Sequence, residues 1–351
     1  MINPSFSLDL CRRICTFVSM TTENPYVKQF PELMAGKTVL YCHGFASSGQ
    51  SGTVSRLREV MPQAKIVAPD LPVHPQEAIA LLHSICDTER PDLIIGTSMG
   101  GMYAEQLYGY DRICVNPALE MGETMKAHGM TGTQQFQNPR QDGIQEFYVD
   151  KALVKEYKEQ SEQGLKPGLP GELQRVFGLF GDEDTTVDTF DMFHAVYPQA
   201  IHFHGEHRMN DKSFMHSVVP VIRWIDDQQE HRQRPIIYIG IETLRDAFAK
   251  PTSSSQKAVR FFIEHYQVFF VAENNEAAVG VWLEEYINVP AWRHTIYTYH
   301  RDLLYGDYLI EKQDAKVNKQ DNSLATVIEF GSDTFKTWDD IIEYFSRLGG
   351  Q

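Results

Sequence analysis

Cysteine is scarce in this 351-residue chain: Cys11, Cys15, Cys42, Cys86 and Cys114 are the five, and no two stand in a C-x-x-C spacing. So sparse and odd a set implies neither a disulfide framework nor a zinc site, and it points to a reducing, cytoplasmic setting. Nothing approaches the run of about 18 apolar residues that spans a bilayer, so no membrane span is expected. Basic residues are in the minority, 32 Lys and Arg against 47 Asp and Glu, a formal net charge of −15. That balance argues against a general nucleic-acid binder, which needs basic patches to release counterions from phosphates. There is no internal repeat or low-complexity tract. The residues through Met20 include Arg12-Arg13 but lack a continuous apolar core and a small-residue cleavage site, so a signal peptide is not expected. Residues 1–35 read as an N-terminal extension, and Met20, ahead of a polar stretch, is a candidate start that would place residues 1–19 outside the fold.

What is present is ordinary for a globular protein: 42% hydrophobic and 23% charged residues, in a chain long enough for two domains. From Lys37 onward, short β-branched runs alternate with amphipathic stretches, the pattern of βα units and a mostly parallel sheet. Strands are expected at Thr38 to Cys42, Ala64 to Ala68, Asp92 to Gly96 and Arg112 to Val115. Helices are expected at Ser55 to Val60, Gln76 to Asp87 and Met99 to Tyr108. Periodicity weakens over residues 118–172, which read as an insertion above the sheet. Strands resume at Arg175 to Phe180 and Ala200 to His204, followed by a helix over about Ser213 to Asp226. The polar run after it, from Asp227 or residue 229 to Arg234, reads as a linker. A second α/β domain follows over 235–351, with strands at Ile236 to Ile239 and Val268 to Val271 and helices near Ala277 to Tyr286 and Trp338 to Leu348.

One segment carries a chemical signal. Gly96-Thr97-Ser98-Met99-Gly100 follows the apolar strand Leu93-Ile94-Ile95 and opens a helix at Gly100-Gly101-Met102. A serine hydroxyl is a weak nucleophile, and a strained turn between small residues lifts it clear of the sheet to where a base can reach it. Upstream, His43-Gly44-Phe45 forms a loop after the first strand. Acyl transfer builds negative charge on a carbonyl oxygen, and two fixed backbone N–H donors stabilise it by several kcal/mol. The candidates are the N–H groups of Phe45 and Met99. His43 reads as a brace for its turn and Cys42 as a small buried hydrophobe. Phe136, Phe147, Tyr148 and Leu153 are candidate walls of an acyl pocket, with ordinary packing as the alternative for each. Arg140, in Asn138-Pro139-Arg140, either attracts an anionic substrate or is merely solvated.

Over about residues 36 to 228 the chain resembles the α/β-hydrolase superfamily, in its small bacterial esterase-like branch. The resemblance rests on His43-Gly44-Phe45, Gly96-Thr97-Ser98-Met99-Gly100-Gly101, Gly181-Asp182-Glu183-Asp184-Thr185-Thr186-Val187 and Gly205-Glu206-His207. It implies a triad in the chain order Ser, Asp, His, with Ser98 as nucleophile, Asp184 as acid and His207 as base. Asp182 and Asp188 are rivals for the acid. His202 and His204 share one strand face and read as structural, and His216 falls inside a helix. The implied activity is hydrolysis of a small-molecule carboxylic ester or thioester through an acyl-serine, with no cofactor and no metal.

Over about residues 235 to 348 the chain resembles the haloacid-dehalogenase-like 5′-nucleotidases, through Ile236-Ile237-Tyr238-Ile239, Val268-Phe269-Phe270-Val271, Tyr305-Gly306-Asp307-Tyr308-Leu309-Ile310, Phe330-Gly331 and Trp338. Those enzymes attack phosphorus with a strand-end aspartate and hold magnesium with further acids. Here Gly240 stands at the nucleophile, Glu242 at the second aspartate, Ala272 at the hydroxyl residue and Glu311-Lys312 at the paired acids. The span Phe248 to Val268 leaves little room for a cap domain. The resemblance therefore implies a degenerate domain used for packing, partner binding or regulation; were the tail an unrelated α/β domain, Glu242, Asp246 and Glu311 would be surface charges. Two competing functions remain, a non-catalytic binding or regulatory protein and a magnesium-dependent nucleotidase in the tail. Oligomeric state and acyl substrate are not encoded in any motif.

Overall fold

A computed structural model describes residues 30–166, 171–245, 249–273, 277–287, 294–312 and 325–348. The expected extension over 1–35 therefore lies outside the described residues except for its last six, and Asp246 and Phe248 lie outside them as well. The protein is α/β, built on two parallel sheets. The first contains β1 (Thr38–Cys42), β2 (Lys65–Val67), β3 (Leu93–Thr97) and β4 (Arg112–Val115). The short strands β5 (Gly132–Gln135) and β6 (Glu146–Val149) interrupt the series, and β7 (Val176–Gly181) and β8 (Ala200–Phe203) complete the sheet in the order β2-β1-β3-β4-β7-β8. Every pairing in it is parallel. Alternate residues of a strand point to opposite faces. Leu40, Cys42 and Ile94 accordingly join one buried cluster, while Val39, Tyr41, Leu93 and Ile95 join another. A sheet buried on both faces explains the uninterrupted apolar runs of the sequence.

Helices cover both faces: α1 (Gly52–Val60), α2 (Pro75–Glu89) and α3 (Met99–Gln106) come first. In the insertion, α4 (Met121–Ala127) and α5 (Lys151–Ser161) flank the antiparallel β5–β6 hairpin, and short α6 (Glu172–Arg175) and α7 (Phe190–His194) follow. The helix expected over Ser213 to Asp226 is longer and irregular: α8 (Asp211–Ser213) passes through a π turn (Phe214–Val218) into α9 (Val219–Gln229). The polar run taken as a linker is thus partly helical. It is also pinned, because Arg232 pairs with Asp226 at 2.6 Å and Arg234 with Asp227 at 3.1 Å.

The second sheet comprises β9 (Ile236–Gly240), β10 (Gln267–Ala272), β11 (Thr295–Tyr297), β12 (Tyr308–Lys312) and β13 (Thr326–Phe330), in the order β11-β10-β9-β12-β13 and again parallel throughout. Its helices are α10 (Ile241–Leu244), α11 (Ser253–His265), α12 (Ala277–Tyr286) and α13 (Trp338–Arg347). The span from Phe248 to Val268 holds α11, capped by the Thr252 side chain and buried through Ala258, Val259, Phe262 and Ile263. Among the described residues no helix is long and apolar enough to cross a membrane.

A buried ion pair underlies the first sheet. Arg112, at the start of β4 and 0% exposed, donates to the Glu105 carbonyl at the end of α3, to the Tyr110 carbonyl at 3.2 Å and to the Glu172 carboxylate. Removing one partner of such a pair strands a charge in low dielectric and costs roughly 3–5 kcal/mol, while replacing both by apolar groups is nearly neutral. Arg112→Met is therefore expected to lower unfolding free energy in urea by about that amount, and Arg112→Met with Glu172→Met to recover most of it.

Candidate active site

Ser98 joins β3 to α3 with φ 55° and ψ −121°, in a region that non-glycine residues avoid. The turn can be this tight because its neighbours have no side chains. A Cβ on Gly96 would run into the Gly100 carbonyl, and one on Gly100 into the Cys42 carbonyl of β1. The strain presents the Ser98 hydroxyl at the C-terminal edge of the sheet, where the loops after β7 and β8 also end.

Those loops bring in the other two predicted residues. His207 Nε2 lies 3.0 Å from Ser98 Oγ, and His207 Nδ1 lies 2.7 Å from Asp184 Oδ2. An ionised Asp184 can only accept, so Nδ1 carries the ring proton and Nε2 is free to accept from the serine hydroxyl. Burial works against the Asp184 charge. Hydrogen bonds from His207 and from the N–H groups of Thr186 (2.7 Å) and Val187 (3.0 Å) outweigh it, and the carboxyl is held below the usual carboxylate range. The rivals fall elsewhere. Asp182 accepts from Gly205 N–H at 3.0 Å and sits 3.4 Å from His204, tying β7 to β8 at an exposed position. Asp188 is exposed, His202 stacks on Phe190 with ring centroids 3.9 Å apart, and His216 lies in the π turn.

The N–H groups of Phe45 and Met99 make no hydrogen bond with any described residue, which leaves both available to an incoming oxygen. Met99 is the first residue of α3, where helical N–H groups lack intrahelical partners. Gly44 brings the other donor close, for a Cβ on it would sit 3.4 Å from Ser98 Cβ. His43 holds this loop. Its Nε2 accepts from Leu71 N–H at 3.0 Å, so Nδ1 bears the proton and donates to the Gly44 carbonyl at 2.8 Å. Burial, with Arg140 nearby, lowers the His43 pKa to about 4 and keeps the ring neutral. Cys42 is fully buried and its thiol is pushed well up by desolvation, which fits a packing residue and not a second nucleophile.

Asn116, directly after β4, is not among the residues expected at the site. It is 2% exposed at φ 43°, and its side chain accepts from Gly181 N–H at 2.7 Å while donating to the carbonyls of Glu206 (3.2 Å) and His207 (3.0 Å). One amide thereby fastens the strand leading to Asp184 to the loop that carries His207. An Asn after a strand signals a turn; its partners, 65 to 91 residues away, leave no local mark.

The cleft over Ser98 differs from the expected acyl pocket. Its walls include Met121, Met130, His128, Gln134, Gln137 and Arg208. Phe136, Phe147, Tyr148 and Leu153 are not among them. Phe147 packs edge-on against Phe45 at 5.3 Å and against Phe136 at 4.6 Å, Leu153 is in the core, and Tyr148 is 68% exposed. Arg140 neither waits for substrate nor is merely solvated: it grips Asp142, donates to the Leu71 carbonyl at 3.1 Å and lies 4.4 Å over the Phe136 ring.

In the second sheet, parallel register places Gly240 and Val271 side by side and Ile310 beside Ile239, so the ends of β9, β10 and β12 converge. Arg301, 8% exposed, occupies that corner, 2.6 Å from Glu242 and 3.4 Å from Glu311. Burial pushes the Glu311 carboxyl up, only partly countered by Arg301. Glu311 is thus no surface charge and Glu242 is ion-paired. Among the described residues no group of three or more His, Cys, Asp or Glu is placed to hold a metal.

The His43 ring makes a pH prediction. An unfolded imidazole titrates near 6.5 and the folded one at about 4, so between these values the unfolded chain binds more protons. The stability associated with neutral His43 is intact above pH 6.5 and is lost as the pH falls toward 4, by about 3 kcal/mol at full extent. Urea unfolding of His43→Asn across pH 8 to 4 is expected to show a flatter acid limb than the parent protein.

Residues 38–168 match the profile of an uncharacterised protein family, UPF0227. A stretch of 106 residues is 30% identical to a putative 5′(3′)-deoxyribonucleotidase of Vibrio phage KVP40; it takes in 28% of this chain and 61% of that relative's length. Among solved structures, Est1E from Butyrivibrio proteoclasticus is similar at 16% identity and TM-score 0.39, covering 58% of this chain and 90% of its own. A marine microorganism esterase matches at 14% identity and TM-score 0.35 over 56% of this chain and 95% of its own. An extracellular α/β-hydrolase from a Paenibacillus species matches at 12% identity and TM-score 0.32, over 55% and 98%. The fold class rests on the strand order and register of the chain itself.

Proposed function

We propose that the protein is a serine hydrolase that cleaves a carboxylic ester or thioester through an acyl-Ser98 intermediate. The observation that carries this reading is the unbroken hydrogen-bonded chain from Ser98 through His207 to Asp184, beside two unpartnered N–H groups. His207 Nε2 takes the hydroxyl proton as Ser98 Oγ attacks the carbonyl carbon. The N–H groups of Phe45 and Met99 receive the developing oxyanion. His207 then delivers the proton to the departing alkoxide or thiolate, leaving the acyl-enzyme. A water molecule, deprotonated by the same ring, attacks the acyl carbon, and the proton returns to Ser98 Oγ. Asp184 stays ionised throughout and steadies the imidazolium, in keeping with its lowered pKa. The amides of Gln134, Gln135, Gln137 and Asn138 beside Met121 and Met130 suit a substrate with polar as well as apolar parts.

The second unit takes no part in this chemistry on our reading. Gly240 offers no carboxylate to attack phosphorus, and the Arg301 guanidinium fills the corner in which a divalent cation would need free acids.

Ser98→Ala is expected to reduce kcat on short p-nitrophenyl esters about 10⁴-fold or more, and a fluorophosphonate probe to label the parent protein at Ser98. Undiminished turnover by the variant would overturn the proposal. Asn116→Ala is expected to leave KM near its parent value while kcat falls by about 10- to 100-fold, since a displaced His207 weakens chemistry more than binding.

A further inference from the structure

A second cleft lies where α9 meets the second sheet, far along the chain from Ser98. Its walls include Phe30, Arg223, Trp224, Arg234, Tyr266 and Val268. Three arginines crowd it, and two of them are occupied. Arg232 Nη1 contacts Asp226 at 2.6 Å and Asp227 at 3.2 Å. Arg234 Nη2 contacts Asp227 at 3.1 Å and its Nη1 donates to the Glu264 carbonyl. Asp226 is further committed to Lys37 at 2.6 Å. Arg223 makes no direct bond within this set, although the Asp227 and Glu264 carboxylates lie near enough to favour its charge. Its guanidinium lies 5.2 Å over the Phe30 ring and makes no hydrogen bond or ion pair with any described residue. Arg234 Nε is buried without a hydrogen-bond partner among the described residues.

Polar groups removed from water are normally paired, and a guanidinium more stringently than most. Burial and the neighbouring Arg234 and Arg232 lower the Arg223 pKa to about 10, so its charge is held against resistance. A planar fork of N–H donors is the natural complement of a phosphate or carboxylate. Around that fork stand the aromatic rings of Trp224, Tyr266 and Phe30, which suit a flat apolar body attached to the anion. Asp227 also lines the cleft, so three guanidinium groups face one carboxylate there.

We propose that this cleft is a binding site for a small organic anion, a phosphate or carboxylate on a flat apolar body, seated on Arg223. The site is independent of the Ser98 chemistry.

The test is calorimetric titration of the full-length protein with phenylphosphonate, with inorganic phosphate and benzoate as separate arms. Saturable one-to-one binding of phenylphosphonate is expected, weakened at least about tenfold in Arg223→Gln, with p-nitrophenyl ester hydrolysis unchanged. Tighter binding of phenylphosphonate than of inorganic phosphate supports the aromatic walls, and comparison with benzoate assigns the anion as phosphate-like or carboxylate-like. Should Arg223→Gln fail to fold, modification of the parent protein by phenylglyoxal, mapped by mass spectrometry, supplies the answer: phenylphosphonate is expected to protect Arg223. Binding of none of the three anions, equal affinity in the variant, or absence of protection overturns the proposal.

Discussion

The strained backbone at Ser98 is the constraint on which the rest of the first unit depends. A residue held at φ 55° relaxes unless its surroundings forbid it, and here they do so on both sides. Gly96 is pressed against Gly100, and Gly100 against the carbonyl of Cys42 in β1. Strand β1, in turn, is fixed between β2 and β3 by parallel ladders and buried on both faces. The turn at Ser98 is therefore a product of sheet packing, and the nucleophile proposed here depends on the apolar core beneath it.

The partners of Ser98 come from loops, whose accuracy needs separate support. Asn116 supplies it for Asp184 and His207 together, through three hydrogen bonds to backbone groups near them. His43 does the same for the loop bearing Phe45, using both ring nitrogens. Both side chains are buried, neutral and fully bonded, the condition under which polar groups in a core add rigidity.

Much of this was legible in the sequence, and for definable reasons. β-Branched runs marked β1 to β4 and β7 to β10 to within a residue or two, most plainly where a parallel strand is buried on both faces, whereas β5, β6, β11, β12 and β13 were not expected as strands. Ser98 was legible because its turn demands small residues at fixed spacing. Asn116 was not, since hydrogen bonds across 65 or more residues leave no local pattern. Helix α11 carries apolar residues at 258, 259, 262 and 263 behind a Thr252 cap, so it could have been read; the expectation of a missing cap domain obscured it. Arg301 stands ten residues before Glu311 and 59 after Glu242, and only the folded sheet makes them one cluster.

The β5–β6 hairpin has a consequence for the loops beside the cleft. At its bend, Gln137 N–H is bonded to the Ala46 carbonyl, one residue past Phe45, and the Gln137 side chain accepts from Arg208, one residue past His207. A single glutamine thus ties the loop bearing Phe45 to the loop bearing His207. The acyl transfer proposed here therefore needs the hairpin in place, because displacing it would break both bonds at once.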